Sequence, residues 1–427
     1  MSEWKETEIG LIPKDWELVK FDDEIEIKKG QVNPNKNPYA DMLHIGSENI
    51  TPNSGRLLEL KTNKELRISS GNYHFTEEDI LYSKIRPYFN KVSLPLFEGT
   101  CSADIYPVRP KNSSFDKFFL FYYLLSEFFL IQAISFQART GIPKINREEI
   151  GKTILIKPPI EEQKRIVAVL SCLDAKIDNL RRQNETLEKI AQTLFKHWFI
   201  DFEFPNEEGK PYKSSGGAMS PSELGDIPAG WKVGKLGDVV KKANTGADAI
   251  QKAPIVDKDT GIKCLRIGDL SNNKPYYDWG FCEISDSNYQ QFKLCKNDIL
   301  ITRTSILGLN KFIVDDINAV YNNGLIRIKI KEDYYPPYIY GFLRSKRYFD
   351  YISMINNETS TRPNMKINYL LDFPILISSN SPVNQFSKIQ LDFLQKIENN
   401  NQQIQTLTKT RDALLPKLMS GEIRIKE

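Results

Sequence analysis

Two stretches of this chain place apolar residues at alternating steps of four and three. The first runs through Ile166, Leu170, Leu173, Ile177, Leu180, Asn184, Leu187, Ala191, Leu194 and Trp198. The second runs through Ile397, Asn400, Ile404, Leu407, Arg411, Leu414 and Leu418, with Phe386, Ile389 and Phe393 ahead of it and one step out of phase. That spacing puts each set on one side of a helix and meets the condition for a coiled-coil seam. Charged and amide residues (DNLRRQNETLEK, ENNNQQIQTLTK) fill the remaining faces, so the apolar stripe is narrow and predicts a partner helix rather than a broad core. An antiparallel pairing that sets Ile166 against Leu418 also sets Leu180 against Ile404, Leu187 against Ile397 and Asn184 against Asn400. Both asparagines then share one layer, where each amide can satisfy the other. The predicted rod is ~50 Å long.

Elsewhere the pattern shortens. WELVKFDD, MLHIGSENI and DILYSK, and later WKVGKLGDVV, KCLRIGDL, DILITRT and NGLIRIKI, read as short strands bounded by Gly, Asn, Pro and Asp clusters. The most apolar segment, residues 115–136, reads as one buried core helix. Its uncharged part, residues 118–126, is far short of the ~20 residues a bilayer span needs.

These elements come twice. GLIPKDWELVK returns as GDIPAGWKVGK, LHIGSEN as LRIGDLS, EDILYSKI as NDILITRT, KIN as KIN, and IDNLRRQNETLEK as IENNNQQIQTLTK, at offsets of 215–222 residues. Self-similarity at one offset marks a repeat, and drift of a few residues is what surface-loop insertions produce. The predicted fold is α+β, with two strand-rich globular domains and two long helices forming an antiparallel coiled coil about a pseudo-twofold. The predicted boundaries are 1–158 for the first domain, 159–200 for its helix and 201–222 for a Gly-, Ser- and Pro-rich linker. The second domain follows at 223–381, its helix at 382–420 and a tail at 421–427.

Composition changes this picture little. A chain of 427 residues exceeds one ordinary core, and a net charge of +3 is too mild to name a partner, so any basic surface must come from local placement. The start, MSEWKETEIG, predicts no signal peptide. Five cysteines without a CxxC pair and three scattered histidines (His44, His74, His197) assemble no zinc spacing, which predicts a reduced, metal-free, cytoplasmic protein. YPPY at 335–338 lacks the polar first residue of an amino-methyltransferase loop, and no glycine motif for S-adenosylmethionine precedes it. No Walker A, GxGxxG or GxSxG pattern is present.

What remains is binding. SKIRPYFNK offers Lys84, Arg86, Tyr88, Asn90 and Lys91, and QARTGIPKINR offers Arg139, Thr140 and Lys144. The second copy offers Arg303, Thr304 and Ser305, then Thr361, Arg362 and Lys366. Such residues contact phosphates and read base edges, and they recur at matching places in both copies.

The paired G-x-IP entries, the paired DIL strands, PPIEEQKRI opening the first helix and LFKHWFIDFEFPNEEGKPY closing it resemble the specificity subunits of type I restriction-modification enzymes. The resemblance covers the whole chain. It departs at the second helix, where SSNSPVNQFSKI keeps only Gln385 of the Pro-Pro-x-x-Glu-Gln start. It implies two target-recognition domains that each read half of a split site in double-stranded DNA. It also implies a non-catalytic chain whose helices space those domains and dock two methyltransferase subunits, with restriction/translocase subunits joining them. It implies no cofactor on this chain, with S-adenosylmethionine, ATP and Mg on the partner subunits, and no membrane partner. Two other readings compete. One is a coiled-coil scaffold with two globular protein- or glycan-binding ends. The other is a self-contained nuclease-methylase, which the missing cofactor motifs disfavour.

Overall fold

The computed structural model describes residues 4–136, 143–248, 250–331, 335–358, 364–378 and 381–425. It divides into two compact units. The first joins Met1–Ile177 to Thr406–Glu427, and the second is Asp178–Gln405. The two long helices, Ile160–Phe199 and Ser381–Ser420, are 40 residues each, and each contributes residues to both units.

In the first unit, Glu17–Lys20 pairs antiparallel with Ile154–Lys157, directly ahead of the helix. A four-stranded antiparallel sheet runs in the order Val92–Ser93, Ile80–Ser83, Ile105–Pro110, Ile25–Ile27. The second unit repeats both features. Lys232–Lys235 pairs with Pro374–Ile377, and a sheet runs Asn310–Phe312, Ile299–Thr302, Leu325–Ile330, Val240–Thr245. A further sheet differs between the units. Both contain one parallel pair, Leu43–Ile45 with Gly99–Cys101 and Lys263–Leu265 with Ala319–Tyr321. In the first unit Asn72–Phe75 lies beside Gly99–Cys101 and Lys61–Thr62 beside Leu43–Ile45. In the second, among the described residues, only the Lys263–Leu265 side is extended, by Phe281–Cys282.

The aromatic segment forms two helices, Lys117–Leu125 and Glu127–Ser135, bent by 63° at Ser126, where one helix was expected. Ser126 is extended, and its hydroxyl donates to the Tyr123 carbonyl at 2.6 Å, taking the acceptor a continuing helix would use. The second copy breaks in the same way. Ser345 donates to the Phe342 carbonyl at 2.7 Å, between Pro336–Phe342 and Lys346–Glu358. Most of Lys117–Leu125 is buried in the first unit's core, and no single helix among the described residues is long and apolar enough to cross a membrane.

The Glu-Gln pair opening the first long helix has a physical role. Buried Gln163 accepts from the Asp116 N–H at 2.7 Å and donates to the carbonyls of Ser114 and Pro158. Buried Glu162 accepts from Trp16 Nε1 at 2.9 Å and from Arg424 Nε at 2.9 Å. Arg424 also grips Asp15 through both terminal nitrogens, at 2.8 and 2.6 Å, and lies over the Trp16 ring. In the second unit Gln385 is exposed and, among the described residues, its side chain donates to Ser381. There Trp231 is covered by Phe204, stacked at 5.4 Å with 10° between the planes. Residues 201–222, expected as a linker, therefore contain ordered structure. Phe204 also stacks on Tyr212 at 4.6 Å, the Tyr212 hydroxyl donates to the Ala218 carbonyl, and Met219–Ser220 pairs with Ile227–Pro228. Two aromatics in a Gly- and Ser-rich stretch pin it to Trp231, with Phe204 buried and most of the other residues exposed.

Stretches of the two long helices meet in each unit. In the first, Arg411 Nη1 donates to Asp174 Oδ1 at 2.9 Å, and Ile166, Leu170, Leu418 and Met419 join one core. In the second, Asn400 Nδ2 donates to Asn184 Oδ1 at 2.8 Å, and Asn184 Nδ2 donates to Asn401 Oδ1 at 3.0 Å. Asn400 is 0% exposed, and its own Oδ1 has no partner. Ile177, Leu180 and Ile404 are buried, and Leu173, Leu187, Leu407 and Leu414 half-buried.

Both the asparagine layer and the Arg424 grip can be tested by substitution. Asn400→Leu alone strands the Asn184 carbonyl oxygen and is expected to cost about 1–3 kcal/mol, whereas adding Asn184→Leu is expected to restore or exceed wild-type stability, since a buried polar layer serves register more than stability. Thermal melts of the three proteins decide this. The Arg424 hydrogen bonds hold the Asp15 carboxyl below the usual carboxylate range. A depressed folded pKa stabilises above the unfolded value of about 3.9, and that stability is lost as pH falls through the depressed value. Asp15→Asn is expected to lower stability by about 0.2–1 kcal/mol at neutral pH, and the gap in melting temperature is expected to close below pH ~4.

Candidate nucleic-acid interface

The strand Ile80–Ser83 ends in the loop SKIRPYFNK. Its backbone is held at several points. Lys84 N–H donates to the Asp104 carbonyl at 2.9 Å, Arg86 N–H to the Pro143 carbonyl at 2.6 Å, and Ile145 N–H to the Lys84 carbonyl at 3.0 Å. Ile85 and Lys144 thus form a bridge, and the first candidate loop is tied to the end of the second. The second unit does the same. Thr304 bridges Asn364, and Met365 N–H donates to the Arg303 carbonyl at 2.7 Å. Segments about 60 residues apart in sequence are brought side by side in each unit.

Both loops use a left-handed residue that is not glycine at the same place, Arg86 (φ 46°) and Ser305 (φ 66°). Such a conformation is costly and persists where surrounding structure enforces it, often at functional sites. Here the enforcing contact is an asparagine. Asn90 Nδ2 donates to the Leu125 carbonyl at 2.8 Å, and Asn310 Nδ2 donates to the Leu343 carbonyl, in each case where the aromatic helix breaks.

The candidate residues therefore divide. Asn90 is 4% exposed with its amide committed, so it clamps the loop and does not face a ligand. It read as a polar surface residue because its partner, a helix-end carbonyl, is invisible in sequence. Lys91 is half-buried, its Nζ donates to the Ser47 carbonyl, and burial, with Arg86 nearby, pushes its pKa down. Lys84 lies 3.7 Å from Asp104 and over the Tyr106 ring. Arg303 is steered by Asn364 Oδ1 at 2.8 Å and by the carbonyls of Asn323 and Met365. Thr304 is half-buried in the bridge and Ser305 is exposed. Arg86, Lys144 and Lys366 are exposed, and their side chains have no hydrogen-bond or ion-pair partner among the described residues. Tyr88 is 45% exposed. Arg139, Thr140, Thr361 and Arg362 lie outside the described residues. Phe89, Tyr88's neighbour, is not among the residues predicted from sequence. It is 41% exposed.

A second feature also escaped the sequence. The second unit has a cavity of about 600 Å³ beside the long helices, lined by Phe195, Lys196, Gly341, Arg347, Phe393 and Leu394 among others. A Cβ at Gly341 would collide with the Phe195 ring. The matching residue of the first unit is Tyr122, whose hydroxyl donates to Asp174 at 2.7 Å, joining the Arg411 pair. Among the described residues no three His, Cys, Asp or Glu side chains cluster as metal ligands would.

Two copies of one α+β domain, each presenting a tied pair of basic loops and each completed by parts of both long helices, define a two-domain recognition protein. A family model described as "Type I restriction modification DNA specificity domain" matches residues 13–189. The chain is 28% identical, over 100% of its length and 98% of the relative's, to the type I restriction enzyme MjaIX specificity subunit of Methanocaldococcus jannaschii. It is 32% identical to the EcoDI specificity subunit of Escherichia coli over 44% of this chain and 42% of that one. The crystal structure of the type I restriction-modification S subunit from M. genitalium has the same fold, with a TM-score of 0.56 at 16% identity over 94% of this chain and 96% of that one. Along nearly its whole length the chain is thus similar to type I restriction enzyme specificity subunits, and residues 13–189 match the specificity-domain model.

The division of loop residues is testable by stability. Asn90→Ala removes the Leu125 contact and is expected to cost about 1–3 kcal/mol in a thermal melt. Arg86→Ala and Lys144→Ala, which remove no partner, are expected to stay within about 0.5 kcal/mol of wild type.

Proposed function

We infer that this chain is the DNA-reading subunit of a type I restriction-modification complex in the cytoplasm. Residues 1–158 and 223–381 each read one half of a split duplex site. The helices at 159–200 and 382–420 dock methyltransferase subunits, to which restriction subunits add. The partners hold S-adenosylmethionine, ATP and Mg, and supply the chemistry. The observation that carries the reading is the pair of tied loops at matching positions of both units, with unpaired Arg86, Lys144 and Lys366 and the aimed Arg303. Unpaired exposed cations suit phosphates, and a guanidinium held in place suits a base edge. A protein-binding scaffold gives no reason for the same cationic arrangement to be built twice.

The test is expression of the chain with its cognate methyltransferase, followed by sequencing of modified bases. A two-part methylated motif is expected, and the purified chain alone is expected to transfer no methyl group from labelled S-adenosylmethionine. Replacing residues 1–158 by a relative's segment is expected to change one half of the motif only. Arg303→Ala is expected to weaken binding by about 1–3 kcal/mol if it reads a guanine, and Lys144→Ala to reduce the salt slope by about one. Binding that barely responds to salt would favour the scaffold.

A further inference from the structure

The loop tips carry apolar residues where a DNA-facing surface would be expected to be polar. In the first unit the turn Pro87–Phe89 is bracketed by two left-handed residues, Arg86 and Asn90. Pro87 is buried, Asn90 is clamped, and Asn53 N–H donates to the Asn90 carbonyl at 3.0 Å. The two residues left facing out are Tyr88 and Phe89, with ring centroids 4.6 Å apart and planes tilted by 56°. Tilted rings make a blunt apolar edge rather than a slot for one flat base. In the second unit the corresponding turn is held by Ser305, by Gly308 (φ 82°) and by Thr302, whose hydroxyl accepts from Leu309 N–H at 2.9 Å. Its outward residue is Ile306, 50% exposed. A lone exposed apolar side chain needs no explanation, but a clamped turn entered through a left-handed residue that exposes apolar side chains in both copies, at Tyr88 and Phe89 in one and one step earlier, at Ile306, in the other, does. Cations flank the first tip at Arg86, Lys91 and Lys144 and the second at Arg303 and Lys366.

We propose that Tyr88 with Phe89, and Ile306 in the second unit, are wedges pressed into a base-pair step of duplex DNA, so that each unit selects its half-site partly by how readily that step unstacks. The inference rests on the DNA-reading role proposed above. Apolar side chains inserted at a step kink and partly unstack it, and pyrimidine–purine steps yield most easily. The two copies then differ in the bulk of the wedge, two aromatic rings against one aliphatic chain.

The experiment uses the full chain bound to its methyltransferase and a duplex carrying the methylated motif. 2-Aminopurine is placed at successive positions other than the methylated adenine. Wild type is expected to raise fluorescence at one step in each half-site. Tyr88→Ala with Phe89→Ala is expected to abolish the signal in one half only and to weaken specific binding about 10- to 100-fold, with an unchanged salt slope. Ile306→Ala is expected to act on the other half. Tyr88→Leu with Phe89→Leu, which keeps an apolar tip, is expected to retain most of the signal, and equal melting curves exclude misfolding. Wild-type affinity and signal in the alanine variants would overturn the wedge, as would weakened binding with the fluorescence intact. Failure of the wild-type complex to bind DNA would instead overturn the DNA-reading role.

Discussion

The structure depends on covering two narrow apolar stripes. A forty-residue helix with charged and amide residues on most of its surface gains too little from its backbone to stand alone in water, and most of its stability comes from packing one face. Here that face is packed by helix and domain together. Leu418 and Met419, at the end of the second helix, lie in the core built by Trp16, Phe119 and Phe129. Phe195, Trp198 and Phe199, at the end of the first, lie in the core built by Trp231, Tyr338 and Phe342. Neither globular domain has a complete core without the far end of a helix that starts elsewhere. The short segments just beyond the helix ends extend the same logic: Arg424 in one unit and Phe204 in the other each cover a tryptophan at the start of a domain.

The two copies share what holds the loops and differ in what the loops show. The four-stranded sheet, the serine break in the aromatic helix and the asparagine clamp recur in matching positions. The second sheet is extended on both sides of its parallel pair in the first unit and on one side in the second, and the turn tips carry different side chains. The scaffold under the loops is thus alike in the two copies while the exposed tips are not.

Much of this was legible in sequence because it is periodic. The four-three stripes, the strand runs and the repeat are local patterns that survive without knowledge of tertiary contacts. What was not legible depends on partners far along the chain. Asn90 looks like any loop amide until the Leu125 carbonyl is placed beside it. The break at Ser126 interrupts an apolar run that composition alone reads as one helix. Residues 201–222 look like a spacer because glycine and serine outnumber the two aromatics, Phe204 and Tyr212, that anchor the segment. Conversely, the Glu-Gln pair at the start of the first helix could be named by resemblance, but its work of closing Ser114, Pro158 and Trp16 appears only in three dimensions.

The division of the chain also sets an order of events during synthesis. The second unit is one continuous run, Asp178–Gln405, whereas the first needs Thr406–Glu427 as well as Met1–Ile177. The domain that leaves the ribosome first is therefore completed last. Until the closing segment arrives, Ile166 and Leu170 lack Leu418 and Met419, and the first domain waits with an open apolar groove. The entropy of closing the intervening loop grows only logarithmically with its length, about 0.6 kcal/mol per doubling. The exposed groove makes the nascent first domain the point at which misassembly between neighbouring chains can begin, with one molecule's closing segment entering another's unfinished core.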